Sequence, residues 1–221
     1  MIVAGTALGI ALLAFLIGSI PFGVLVARRQ GVDLQAVGSG NIGATNALRV
    51  LGTKWGLIVF ALDVLKGAIP SVLAFLAFPE GIGALDRQPT AMILGAFAIL
   101  GHMFSPWIGF KGGKGISTVL GVALGAIPLC GLLSFGLMIL LLWITRYVSL
   151  ASLVGVASSL VFNRILGDSV QMLPVLALLF LFITWKHRDN IRRLMNGTER
   201  KFSFKRTPPA EPEPVAQEAG V

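Results

Sequence analysis

The sequence predicts an all-α integral membrane protein of seven transmembrane helices, with the amino terminus outside and the carboxy terminus cytoplasmic. Three observations carry that expectation. Of 221 residues, 55% are hydrophobic and only 13% charged, with a mean hydropathy of +0.85; a soluble domain has roughly 25% charged residues. Apolar runs near the ~20 residues that cross a bilayer fill most of the length. The loops between those runs also sort by charge, basic on one side and nearly neutral on the other. Residues 1–206 read as a single multi-pass membrane domain, and 207–221, rich in Pro, Glu and Ala, as a disordered cytoplasmic tail.

The first run, about 3–27, has no basic residue before it and continues for the length of a span, so it reads as a helix that stays and not as a cleaved signal peptide. Further spans are expected at about 55–78, 90–110, 148–165 and 169–185. Arg28, Arg29, Arg49 and Lys54 follow the first, Lys111 and Lys114 the third, and Lys186, Arg188, Arg192 and Arg193 the last. The loops 79–89 and 164–168 carry Glu80, Asp86, Arg87, Arg164 and Asp168. A Lys and Arg excess marks the cytoplasmic side.

Parity then constrains the stretch 117–145. Counting forward puts Lys114 in the cytoplasm, and counting back from Lys186 puts Arg146 there too. The segment between them must cross twice or re-enter, turning near Pro128-Leu-Cys-Gly131. Each arm has about 13 residues, roughly 20 Å of helix, short of a core of about 30 Å. One long tilted helix is the alternative.

Three polar clusters interrupt the apolar pattern. The first is Gly38-Ser-Gly-Asn-Ile-Gly-Ala-Thr-Asn46, running on to Arg49. It spells G-x-G-x-x-G, but a dinucleotide fingerprint needs a preceding strand. What transfers is a flexible loop whose N–H groups, with Ser39, Gly40, Asn41, Thr45 and Asn46, can meet a phosphate before a helix starts. The second, Lys111-Gly-Gly-Lys-Gly115, is no P-loop: Ile108 stands where the motif needs Gly, and Gly115 follows Lys114 where it needs Ser or Thr. Lys111, Gly112, Gly113 and Lys114 remain an anion grip, or a plain topology signal. In the third, His187, Asn190 and Arg193 recur every three residues and share a face if the helix continues. Ser149 and Ser152 have the same spacing at the start of the sixth span.

Asp63 and Lys66, three apart inside the second span, read as a structural ion pair, and His102 as a packing residue. Two histidines, one cysteine and no carboxylate pair argue against a metal site. A net charge of +8, spread over loops, suits acidic lipids and an anionic substrate better than nucleic acid. No cofactor is expected, and a monomer is.

Together, Gly38–Asn46 with Arg49, Gly-Phe-Lys-Gly-Gly-Lys-Gly115, and His187-Arg-Asp-Asn-Ile-Arg-Arg-Leu194 with Gly197 and Glu199 resemble the bacterial acyl-phosphate-dependent glycerol-3-phosphate acyltransferases of the PlsY type. Ser19-Ile-Pro-Phe-Gly23 and Asp63-Val-Leu-Lys-Gly67 add to the likeness, which covers about residues 15 to 200. The resemblance implies acyl transfer from acyl phosphate, not acyl-CoA or acyl carrier protein, to position 1 of sn-glycerol 3-phosphate. The products are lysophosphatidate and phosphate, the first acylation of bacterial phospholipid synthesis at the inner membrane. It also implies a seven-helix fold with a cytoplasmic site. Ser39, Arg49, Lys114, Ser152, His187 and Asn190 correspond to family active-site residues, with Ser149 competing for the role of Ser152. The H-x-x-x-x-D of other glycerol phosphate acyltransferases is absent.

On this reading Arg49 and Lys114 hold phosphates, and Ser152, His187 and Asn190 orient the acceptor. The acyl chain lies between helices, with Gly18, Gly23 and Gly121 making room. Either His187 or a substrate phosphate takes the hydroxyl proton. A small transporter of an anionic substrate is the competing class; it needs polar residues through the membrane, where this chain has few.

Overall fold

A computed structural model describes residues 2–203; the tail expected at 207–221 lies outside the described residues. Regular structure among them is helical: α1 Ile2–Ser19, α2 Phe22–Arg29, α3 Ala44–Leu51, α4 Thr53–Ala77, α5 Arg87–Met103, α6 Ile116–Ala126, α7 Pro128–Thr145, α8 Val148–Leu166, α9 Met172–Lys186 and α10 Arg188–Met195. Five stretches are long and apolar enough to cross a membrane: Ile2–Arg29, Thr53–Ala77, Arg87–Ile108, Pro128–Thr145 and Val148–Leu166. α6 and α9 are apolar but shorter.

The first expected span is broken. Pro21 lacks an N–H and frees backbone carbonyls at the α1–α2 joint. Lys66 Nζ donates to Ile20 O at 2.9 Å and Ser105 Oγ to Ser19 O at 2.6 Å. Lys66 is also 2.7 Å from Asp63, both side chains buried. The intramembrane charges thus satisfy a helix break that lipid could not hydrate.

Helices pack through glycine. A Cβ on Gly18 would sit 2.2 Å from Ala98 O, and one on Gly121 2.0 Å from Val64 O. α1 therefore lies directly against α5 and α6 against α4, the small-residue contact that membrane helices favour. A Cβ on Gly23 would meet Ile42 O at 1.8 Å. The expectation that these three glycines open space for an acyl chain is corrected: neighbouring backbone fills it.

The chain reverses at Ile127 (φ −141°, ψ 66°), just before Pro128. α6 runs beside α4, Gly131 of α7 meets Ala123 of α6, and Gly155 of α8 faces Met138 of α7. The arms are unequal, 11 and 18 residues, not the matched pair of about 13 that sequence suggested. Only the first arm is short. Lys114 and Ser149, which flank the hairpin, end on one network described below.

At the far end, loops 79–87 and 167–171 are cross-linked. Gln88 Nε2 donates to Asp168, the Ser169 amide to Gln88, and Ser169 Oγ to Asp86.

Candidate active site

Each polar cluster begins as a locally ordered loop. In the first, buried Asn46 accepts the Ser39 amide at 2.8 Å and donates to Leu34 O and Val37 O, both at 3.1 Å. Gly38 (φ +66°) has no room for a side chain, since its Cβ would lie 2.2 Å from Asn46 Oδ1. Asn41 Oδ1 takes the Gly43 amide at 2.9 Å. Asn41 and Asn46 thus build the loop, whereas Ser39 and Gly40 stand exposed at its tip. Arg49 follows one turn into α3, half-buried.

The second cluster lies on the end of α5. Gly113 donates to His102 O at 3.2 Å, and a Cβ on Gly112 or Gly113 would strike His102 O or its ring. The glycines let the loop fold back against His102, and that aims Lys114 inward. Lys111, just after the left-handed Gly109 and Phe110, points to solvent and joins no contact of the site.

In the third, α9 ends at Lys186 and α10 begins at Arg188, so the helix does not continue unbroken through Asn190 but is interrupted at His187 (φ −99°, ψ 5°). Asn190 and Arg193 still share a face of α10, and His187 sits at the joint.

The centre of the site is Glu199, three residues past the end of α10's cap. Its Oε1 accepts Asn190 Nδ2 at 2.6 Å and Ser149 Oγ at 2.7 Å; its Oε2 accepts Arg193 Nε at 2.7 Å. Lys114 Nζ donates to Asn190 Oδ1. Arg200 donates to Gly38 O at 3.0 Å, which ties the first loop to this strap, and the Phe202 amide bonds Arg146 O at 2.7 Å. The three clusters, the hairpin end and the strap 197–203 therefore meet at one end of the bundle.

Sequence reasoning gave Glu199 no role, although it is the single acid among the basic residues 191–206. Of the competing serines, Ser149 touches the network; Ser152 lies one turn deeper in α8, buried.

Electrostatics follow from that crowding. Burial, assisted by Arg193 and Arg49 and opposed by Glu199 and Asp189, brings the Lys114 pKa down to about 8. Arg49 is lowered by burial and by Arg200. Glu199 is held below its ordinary value by hydrogen bonds from Asn190, Ser149 and Arg193, which outweigh its burial. His187 falls to about 4 through burial and the Lys114 charge. Its Nδ1 faces Ile183 O at 2.9 Å; a carbonyl can only accept, so Nδ1 carries the hydrogen and Nε2 keeps its lone pair.

Below the cations lies a narrow, half-open apolar cleft, walled by Ile116, Val119 and Ala123 of α6, Phe135 of α7, Val156 of α8 and Leu179 of α9. It begins two residues after Lys114. A cationic, hydrogen-bonding end over an apolar slot fits an amphiphile with an anionic head.

The profile of a family described as glycerol-3-phosphate acyltransferase matches residues 8–197. The chain is 44% identical over 197 residues to the glycerol-3-phosphate acyltransferase of Aquifex aeolicus (strain VF5), covering 89% of this chain and 99% of that one. It is 42% identical over 194 residues to the enzyme of the same name from Myxococcus xanthus (strain DK1622), covering 87% and 98%. Two crystal structures of PlsY (YgiH), an integral membrane glycerol 3-phosphate acyltransferase, share the fold. The glycerol 3-phosphate form gives a TM-score of 0.83 at 41% identity, and the lysophosphatidic acid form 0.81 at 40%; each match covers 90% of this chain and 96% of the other.

Proposed function

The chain belongs to the glycerol-3-phosphate acyltransferase family, and from that premise we propose that it moves a fatty acyl group from acyl phosphate to the 1-hydroxyl of sn-glycerol 3-phosphate. The products are 1-acyl-sn-glycerol 3-phosphate and inorganic phosphate. The observation that carries this reading is the meeting of Lys114, Asn190, Glu199, Ser149 and Arg193, with Arg49 and His187 in the same field, above an apolar cavity.

An acyl phosphate is already activated, so the site needs charge neutralisation and proximity more than a strong nucleophile. Arg49 and Lys114 hold the two phosphate heads, with Ser39 and Gly40 at the loop tip; Asn190 and Glu199 hold Lys114 in place. The acceptor's oxygen attacks the acyl carbonyl carbon, and the bond from that carbon to the phosphate oxygen breaks. His187 Nε2 accepts the acceptor's hydroxyl hydrogen bond and orients it. A nitrogen with a pKa of about 4 is a poor base near neutrality, so the proton goes to the departing phosphate. Ser152 sits beside the path of the carbonyl. The acyl chain occupies the cavity beneath.

The protein works as a monomer in the bacterial inner membrane, with seven crossings and the cationic end cytoplasmic, following the basic loops. Asp63 and Lys66 serve the α1–α2 break, which leaves little for a transport path. The test is phosphate release by purified protein in detergent. Release should require both acyl phosphate and glycerol 3-phosphate and match lysophosphatidate formed. No release, or equal transfer from acyl-CoA, refutes the donor.

A further inference from the structure

The deep end of the apolar cavity is lined by Met92 of α5, Ile127 at the hairpin turn, Cys130 of α7 and Leu176 of α9, exposed by 2%, 1%, 0% and 5%. The walls nearer Lys114, including Phe60, Ile116, Met138 and Leu179, are only half-buried. The slot is therefore closed at its far end and accessible at its near end. Its depth is set by α6, which has just 11 residues before the chain turns at Ile127, whereas α4 beside it continues for 25. The floor stands where the hairpin turns.

We propose that this floor measures the acyl chain, admitting up to about 16 carbons and disfavouring longer ones; the inference rests on the acyl-phosphate reading above. Thirteen residues separate Lys114 from Ile127, about 20 Å at ~1.5 Å per residue. An extended chain advances about 1.2 Å per bond, a third of the ~3.6 Å residue repeat, so about 16 bonds fill the slot. Substrate arriving from a membrane or micelle gains little from the apolar transfer itself, since both media are oily. Length is then judged by fit: extra methylenes pressed into a packed floor typically cost 5-fold or more in occupancy.

Two substitutions move the floor in opposite senses. Leu176→Ala deepens it, and Ala123→Leu fills the slot about two-thirds of the way down. Saturated acyl phosphates from 12 to 20 carbons are compared at equal mole fraction in the micelle, reading kcat/KM from phosphate release. Unmodified protein should vary little up to about 16 carbons and fall about tenfold by 20. Leu176→Ala should extend the plateau by about two carbons, and Ala123→Leu should shorten it by about four while sparing the shortest substrate. Non-hydrolysable acyl phosphonates, used as competitive inhibitors of unmodified protein, should weaken beyond the same length; this arm does not depend on either variant folding. A profile flat to 20 carbons, or a break unmoved by both variants, overturns the ruler and leaves the acyltransferase reading intact. No turnover at any length removes the donor assignment and the ruler with it.

Discussion

Raising the pH from 7 to 9 should cost this enzyme about nine-tenths of its kcat/KM, through Lys114 alone. That ammonium is packed between the α5 end and α10, and burial brings its pKa to about 8. One unit above a pKa, about a tenth of the groups stay protonated, and 1.36 kcal/mol per unit is a tenfold change. Free-enzyme ionisations appear in kcat/KM, so that parameter should fall with an apparent pKa near 8. Lys114→Arg should remove the limb, because a guanidinium stays charged above pH 12, at the cost of a lower plateau from its different shape. The same residue moves stability the other way. Its folded pKa lies below the ~10.4 of an unfolded lysine, so the unfolded chain binds more protons between pH 8 and 10.4, and this term's stability rises across that window. An activity loss at pH 9 that tracks unfolding would contradict the assignment. So would an alkaline limb that survives in Lys114→Arg.

Other outcomes follow from the same contacts. Arg49→Ala should raise the glycerol 3-phosphate KM by about 10- to 100-fold, the worth of a hydrogen bond to a charged group, with a smaller change in kcat. Glu199→Gln keeps a similar shape but loses the charge that three donors share; it should lower kcat at least tenfold, and Lys114's alkaline limb should move to lower pH because a carboxylate that raises its pKa is gone. Acid should act likewise. The Glu199 pKa is depressed, so its stabilising contribution is complete above about 4.5 and fades as pH falls through the folded value. His187→Ala should reduce kcat strongly, and near-full turnover would strip His187 of its positioning role. Asp63→Asn leaves the buried Lys66 charge without its partner, and thermal denaturation in detergent should show a loss of order 3–5 kcal/mol.

The fold class was legible because its signals are local. An apolar run declares a span wherever it sits, and Pro128 marks a turn without reference to the rest; the break at Pro21 went unread, because the apolar run continues through it. The three glycine and cation clusters, and through them the family, were legible for the same reason. Arg49, Lys114, His187 and Asn190 were named from residue type and spacing. Lys111 carried the same local signature as Lys114 yet points outward, because the turn at Gly109 and Phe110 faces it away from the bundle.

What sequence alone determined, then, was a helical membrane protein with its phosphate-suited loops on one side. Tertiary structure decided which of those groups meet. Glu199 became the centre only when α8, α10 and the strap were folded together, and Ser149 displaced Ser152 from that network by one helical turn. Gly18, Gly23 and Gly121 proved to be points of backbone contact, since whether a missing side chain leaves a void or admits a neighbour depends on that neighbour. Arg200 reaches Gly38 across 162 residues of chain. Contacts of that span leave no periodicity in the sequence, because nothing local distinguishes a residue whose partner lies a whole domain away.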